Sequence, residues 1–285
     1  IHQTESGRVK WMIIKTLVEN TSTAEKFKSE HGLCLYLETR KHKLLFDVGA
    51  SHLFAENAHA LGVDLTEVDT VVISHGHYDH GGGLKAFLNL NHKAKVYINR
   101  KAFGKYYALT PNGKKTYIGL DESLLQSDRL IFTGEHFVID DELELFANVS
   151  GTKLLPSGNR TLLTEAAGLP VQDDFSHEQN LIVSQDGKVL LVAGCAHKGI
   201  INIIERMIEL KNVQPNYVIG GFHLYNYGAD KYEESAVINE LGQYLREFDT
   251  TFYTCHCTGP KAYNELREVM GRKIEYLATG SELRI

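Results

Sequence analysis

The stretch Asp69-Thr70-Val71-Val72-Ile73-Ser74-His75-Gly76-His77-Tyr78-Asp79-His80-Gly81-Gly82-Gly83 puts four metal-competent side chains directly behind an apolar run. Val71, Val72 and Ile73 are β-branched, so residues 69–74 read as a buried strand. In extended chain, residues i and i+2 face the same side, which points His75 and His77 together. The turn that follows swings Asp79 and His80 to a neighbouring position. Such donors can hold two metal ions a few ångströms apart, imidazoles on one and a carboxylate plus imidazole on the other. The three glycines let the backbone turn tightly into a helix expected over 84–90, whose first amides can face an anion. A histidine-rich surface loop is the plain alternative, and four donors at this spacing behind a buried strand weigh against it.

Outward from this stretch, three later apolar runs also end in histidine. Lys188–Ala193 leads to His197, Tyr217–Gly220 to His223, and Thr251–Thr254 to His256. One strand-end histidine is ordinarily a satisfied structural imidazole. Three, in a chain that already carries the cluster, make His197 and His256 expected ligands and place His223 near the site. His177 and Glu178 stand just before a strand that starts at Asn180. Further strands are expected over 10–19, 33–38, 43–47, 95–98, 180–185, 188–193, 216–220, 250–254 and 274–277, with Asp186-Gly187 as a hairpin turn. Helices are expected over 51–61, 200–211, 232–247 and 260–270. The span 100–175 is less regular, with short strands near 129–132 and 142–149. This alternation predicts an α/β fold with mixed sheets, formed by a single domain over 1–285.

Composition narrows the function classes. The 285 residues are 43% hydrophobic and 23% charged, enough to bury a core and too apolar for a disordered chain. With 30 basic and 36 acidic residues the formal charge is −6, which argues against a nucleic-acid partner. No apolar run reaches the roughly 18–20 residues of a membrane span, and Ile1–Ser6 carries no basic-then-apolar leader. The four cysteines, Cys34, Cys195, Cys255 and Cys257, form no CxxC pair and read as thiols of a reducing cytoplasm. A cytoplasmic protein with no membrane partner is therefore expected.

The pattern from His75 to His80 resembles the H-x-H-x-D-H signature of the metallo-β-lactamase superfamily. The resemblance implies a four-layer αββα sandwich with a dinuclear metal site along one edge of its two sheets. It implies metal ligation by His75, His77, Asp79, His80, His197 and His256. Phe46-Asp47-Val48-Gly49 is similar to the superfamily's first motif, in which the aspartate braces the metal loops; an ordinary strand-end turn residue is the other reading of Asp47. The third motif is expected near His177 and Glu178, although its usual Pro-Gly-His wording is absent. The aspartate that normally bridges the metals is replaced by Cys195, which is either a ligand or a buried structural thiol. Gly194-Cys195-Ala196-His197, Gly220-Gly221-Phe222-His223-Leu224 and Cys255-His256-Cys257-Thr258-Gly259 resemble the dihydropterin–ribofuranosylaminobenzene-phosphate synthase-like branch. So does Met12–Asn20, and the resemblance runs from about residue 12 to 280.

These features predict a metal-dependent hydrolase acting on a small anionic ester, most simply a phosphodiester, with two divalent ions as cofactors. The superfamily's di-iron branch has glutamate where His77 stands, so zinc is expected, with manganese, iron or nickel as alternatives. Asp79 would hold the second metal and orient the nucleophile, and His223 would donate a proton or hydrogen bond to substrate. A pterin-condensing transferase and a glyoxalase-type thioesterase are the alternatives. The span 100–175 is expected to form a substrate-covering insertion near the metal edge. There Phe103, Tyr106, Tyr107 and Tyr117 either stack on a flat ring or pack the insertion. Lys114, Lys115 and Arg129 either meet a phosphate or are solvated.

Overall fold

The computed structural model describes residues 11–285. Lys10, at the start of the first expected strand, and the Ile1–Ser6 terminus lie outside the described residues. In chain order the first half contains β1 (Ile13–Val18), β2 (Cys34–Glu38), β3 (Lys43–Phe46), α1 (Leu53–Ala60), β4 (Thr70–Ile73), α2 (Tyr78–Gly81), α3 (Leu84–Leu90) and β5 (Lys95–Asn99). It continues with β6 (Tyr106–Leu109), β7 (Lys115–Tyr117), β8 (Leu130–Thr133), β9 (His136–Val138), β10 (Leu143–Phe146), β11 (Leu162–Ala166) and β12 (Leu169–Gln172). The second half adds β13 (Asn180–Gln185), β14 (Lys188–Val192), α4 (Ile200–Lys211), β15 (Tyr217–Gly220), β16 (Tyr225–Asn226) and β17 (Lys231–Tyr232). It ends with α5 (Ser235–Arg246), β18 (Thr251–Thr254), α6 (Pro260–Met270), β19 (Ile274–Tyr276) and β20 (Glu282–Arg284).

Two seven-stranded sheets result, ordered β20-β1-β2-β3-β4-β5-β8 and β19-β18-β15-β14-β13-β10-β9. Three apolar clusters define the layers. Val72, Phe46, Leu145 and Leu190 pack between the sheets. Val71, Ile73, Phe54 and Phe87 pack the first sheet against α1 and α3. Ile201, Ile204, Ile238 and Leu266 pack the second against α4, α5 and α6. The expected αββα sandwich is therefore observed. The layering also explains why β4 is buried along its whole length rather than on alternate residues. Val71 and Ile73 face the helices while Val72 faces the other sheet, so both faces are buried.

The parallel pairs align the strand ends that carry the chemistry. β3 runs parallel to β4, and β14, β15 and β18 run parallel in register, so their carboxyl ends emerge along one edge. The opposite end is tied by His42, which bonds Asp69 at 2.9 Å and, across to the β9–β10 turn, Asp140 at 2.7 Å.

The span 100–175 is not one insertion. β8 closes the first sheet, while β9 and β10 belong to the second. Residues 130–146 are thus part of the sandwich, because β10 pairs with β13 over Leu143–Phe146. The remainder forms a four-stranded sheet, β12-β11-β6-β7, that stands over the edge where the histidines emerge. Among the described residues no helix is long and apolar enough to cross a membrane.

A candidate metal centre at the strand ends

Five non-glycine residues around this edge adopt left-handed backbone: Asp47, Phe175, Ala196, His223 and His256. Such conformations cost roughly 1–3 kcal/mol each and persist where surrounding contacts over-determine them. Here they aim side chains inward. Gly76 is required by close approach: a Cβ there would lie 2.3 Å from the Ala102 carbonyl.

Two groups of donors result. In the first, His80 Nε2 lies 3.1 Å from Cys195 Sγ, 3.2 Å from His256 Nε2 and 3.5 Å from Asp79 Oδ2. His256 Nε2 is 3.2 Å from the same Asp79 oxygen. The His80, His256 and Asp79 atoms form a triangle with edges of 3.2–3.5 Å, and a tetrahedron with edges of that length has corners about 2.0–2.1 Å from its centre, close to the nitrogen and oxygen bond lengths of a small divalent cation such as zinc. In the second group the rings of His75, His77 and His197 lie 4.6, 5.0 and 5.1 Å apart. All three Nε2 atoms are buried without a hydrogen-bond partner. Orphaned buried acceptors are costly, and a cation between them satisfies all three.

The hydrogen-bond network assigns the tautomers. Ser74 Oγ donates to Asp47 Oδ2 at 2.8 Å, so it accepts from His75 Nδ1, also at 2.8 Å. His80 Nδ1 donates to Asp47 Oδ2 at 2.6 Å, His197 Nδ1 to Asn159 Oδ1 at 3.0 Å, and His256 Nδ1 to Asn20 Oδ1 at 2.7 Å. Each of these rings is left with its Nε2 lone pair facing the centre, as a metal ligand needs. Burial, and then the neighbouring imidazoles, push His75 and His197 well below the usual histidine range. His77 falls to about 3 for the same reasons. These rings are neutral at ordinary pH. Burial alone would lower His80, but the Asp47 and Asp79 carboxylates outweigh it and raise its pKa.

Comparison with known proteins fits this geometry. The sequence profile described as the metallo-beta-lactamase superfamily matches residues 30–105. An uncharacterized protein of Methanocaldococcus jannaschii is 30% identical over 262 residues, covering 90% of this chain and 94% of that one. The chain belongs to the metallo-beta-lactamase superfamily. A solved metal-dependent hydrolase of the beta-lactamase superfamily shares 31% identity at a TM-score of 0.80, covering 96% of this chain and 99% of its own. The 7,8-dihydropterin-6-methyl-4-(beta-D-ribofuranosyl)-aminobenzene-5'-phosphate synthase of M. jannaschii is 25% identical over 98% of both chains. The superfamily fold implies divalent-metal binding, and the Asp79–His80–Cys195–His256 and His75–Cys195–His197 donor sets fit that implication, with the His77 ring beside the second.

Against the superfamily pattern, the expected ligands His75, His77, Asp79, His80, His197 and His256 all converge here, and Cys195 joins them. His177 also brings a nitrogen within 4.8 Å of His77 and Asp173 donors. Both its nitrogens are engaged, however: Nδ1 accepts from the Gly76 amide at 2.9 Å and Nε2 donates to Asp173 at 3.1 Å. It holds the metal loop. Glu178 does likewise, accepting from the His197 and Lys198 amides at 2.7 and 3.0 Å. Asp47 braces Ser74 and His80 as above. His223 leans on His197, ring centroids 4.3 Å apart, with both ring nitrogens buried and unpartnered.

Sequence reasoning missed four supports. His31 reaches Asp79 Oδ2 at 3.3 Å and stacks on Tyr227 at 4.0 Å. Asn20 and Asn159 orient ligand imidazoles, and buried Glu19 accepts from the His256 amide at 2.6 Å. Only His31 carried a signal, as a histidine just before rather than after a strand.

A cavity of about 430 Å³ opens above the donors. Its lining includes the donors Asp79, His77, His197 and His256 with His223, together with Tyr78, Leu109, Ile118, Leu162, Tyr225 and Tyr227. Of the candidates in the expected cover, only Tyr117 lines it. Tyr106 packs on His177 at 4.1 Å, Tyr107 bonds Glu165, and Phe103 packs on Phe132. Lys115 lies over the Tyr107 ring, Lys114 is exposed in the β6–β7 turn, and Arg129 donates to the Leu88 and Asn91 carbonyls. Those contacts hold the cover and sheet together and leave the cavity wall to tyrosines and aliphatics.

Proposed function

We propose that this protein is a hydrolase of small anionic esters, most simply phosphodiesters, carrying two divalent ions. The observation behind this reading is the pair of adjacent, buried donor groups at the floor of an apolar-walled cavity. His75, His77 and His197 would hold one ion; Asp79, His80, His256 and Cys195 the other. Imidazole, carboxylate and thiolate together favour zinc over harder cations. Divalent ions bound there would supply Lewis acidity and would lower the pKa of water from 15.7 to roughly 7.

The chain's own residues do the rest. Asp79, held by His31, His80 and His256, orients the attacking water with a carboxylate kept ionised. Burial opposes that ionisation, but the His80, His256 and His31 rings hold the Asp79 pKa well below the usual range. His223, which lines the cavity with a ring nitrogen within 4.8 Å of the Cys195 and Cys257 sulfurs, donates to the substrate oxygen that gains charge. The tyrosine and aliphatic walls exclude water and take the ester's apolar part.

The test is metal analysis of purified protein followed by turnover of bis-p-nitrophenyl phosphate, nitrocefin and a thioester. Up to two ions per chain with phosphodiester cleavage is the expected result. Metal-loaded protein that turns over only the thioester supports the glyoxalase-type reading, and one inert to all three sinks hydrolysis. The 25% identity to the M. jannaschii synthase over nearly the whole chain favours a second reading, pterin condensation. Product formed from a dihydropterin and an aminobenzene ribofuranosyl phosphate would support it.

A further inference from the structure

Cys195 follows β14 and Cys257 follows β18, with β15 between them in the sheet. Strands two places apart are separated by roughly 9.6 Å, twice the usual 4.8 Å spacing, so side chains at their ends do not ordinarily meet. Here they do. The Cys195 and Cys257 sulfurs lie within 4.8 Å of each other, and the Cys257 thiol points at the Cys195 carbonyl at 3.5 Å. The space between comes from Gly220-Gly221 at the end of β15. A Cβ on Gly221 would sit 2.4 Å from the Cys257 sulfur. Both sulfurs belong to cavity-lining residues, each 3% exposed, which sets the pair at the cavity wall. Cys34 and Cys255 are fully enclosed in the core and do not line it.

We propose that Cys195 and Cys257 form an oxidation site, a thiol pair that a peroxide converts to a disulfide. One sulfur attacks a peroxide oxygen, the O–O bond breaks, and a sulfenic acid forms with release of water. The second sulfur displaces that hydroxyl as a second water, closing the S–S bond. Two thiols lose their hydrogens and hydrogen peroxide is reduced to two waters. Closing the sulfurs to about 2.05 Å requires Cα atoms within roughly 7 Å of each other, reached by side-chain rotation together with any shift of the two loops. A sulfur in a disulfide is no longer a thiolate ligand. Oxidation and a full Asp79–His80–Cys195–His256 donor set therefore exclude one another. That consequence rests on the two-metal reading above; the cross-link does not.

The experiment treats purified protein, as isolated and after chelator treatment, with hydrogen peroxide, blocks remaining thiols by alkylation, and maps peptides without reduction. The expected result is a peptide pair joining Cys195 to Cys257, formed faster after chelation and lost on adding dithiothreitol. Cys257→Ser abolishes it and Cys255→Ser does not. Bound metal, counted in parallel, falls by one ion per chain as the cross-link forms. Both thiols still open to alkylation after peroxide, or separate sulfinic acids at the two positions, would overturn the proposal. The wild-type map alone decides this if the serine variants misfold. A cross-link that forms with no metal loss leaves the oxidation site standing and removes Cys195 from the ligand set.

Discussion

Replacing Asp47 by asparagine isolates what its carboxylate does. The side chain is fully buried and accepts three hydrogen bonds: from the Ser74 amide at 2.7 Å, Ser74 Oγ at 2.8 Å and His80 Nδ1 at 2.6 Å. Its backbone is left-handed, φ 59°, a conformation asparagine tolerates well and alanine does not. Asp47→Asn thus changes the hydrogen bonds without adding strain. An amide has one acceptor oxygen. With its NH2 toward His80, two bonds fail; flipped, the Ser74 amide is left facing another donor. At least one buried donor goes unpaired in either case, which costs roughly 1–3 kcal/mol. His80 also loses the acceptor that fixes its proton on Nδ1, so the Nε2 lone pair is no longer guaranteed.

Removing such an outer partner typically lowers metal affinity 10–100-fold. The Asp79–His80–Cys195–His256 group should suffer most. The His75–His77–His197 group is affected only through the Ser74–His75 bond. Chelator competition with metal counting should show one ion lost at lower chelator concentration than in wild type, and the other nearly unchanged. Urea unfolding of the metal-free protein should show the stability loss. If D47N keeps both ions at wild-type chelator concentrations and unfolds at the wild-type midpoint, Asp47 is an ordinary turn residue and the bracing argument fails.

Other outcomes separate roles elsewhere. His77→Ala should lose metal and turnover together, whereas His223→Ala should keep its metal and slow the chemical step by about 10²–10⁴-fold; equal metal loss in both would make His223 a ligand. His42 is half-buried, and although burial lowers its pKa, the bonds to Asp140 and Asp69 outweigh this and raise it. A raised folded-state pKa stabilises fully below the unfolded value of about 6.5, and that stability is lost as pH rises through the folded value. Urea midpoints should therefore fall more steeply over that window in wild type than in His42→Gln, and parallel curves would refute it. Arg129→Leu should destabilise the fold by about 1–3 kcal/mol, because two carbonyls lose a charged donor, while kcat stays unchanged; a raised KM for an anionic substrate would return Arg129 to the site.

Local pattern made much of this legible. Leu84–Leu90, Ile200–Lys211 and Pro260–Met270 are helices where apolar spacing and end signals place them: Pro260 opens one, and left-handed Asn212 closes another. The six strand-end donors were readable because parallel strands deliver consecutive loops to one edge. What sequence could not supply was long-range pairing. β8 and β9 are edge strands with half-exposed faces, so nothing local distinguishes them from an insertion. His31 meets Asp79, and Glu19 meets His256 from 237 residues away, through contacts no window of sequence contains.

Glu19, Asp47 and Glu178 show why those distant contacts belong to the site rather than to the core at large. Each is a buried carboxylate, an expensive group to enclose. Each accepts from the backbone amide of a different donor loop: Glu19 from His256, Asp47 from Ser74, Glu178 from His197. Those three amides lie at or just before the candidate ligands His256, His75 and His197. A neutral asparagine or glutamine offers a single acceptor oxygen and could hold only part of each of these networks. Ionised carboxylates also add negative charge behind these imidazoles, which favours cations placed between them, although burial raises the Glu178 pKa against this. The cost of burying the carboxylates and the affinity for divalent ions are then two sides of one electrostatic arrangement, which joins the first strand to a loop near the end of the chain.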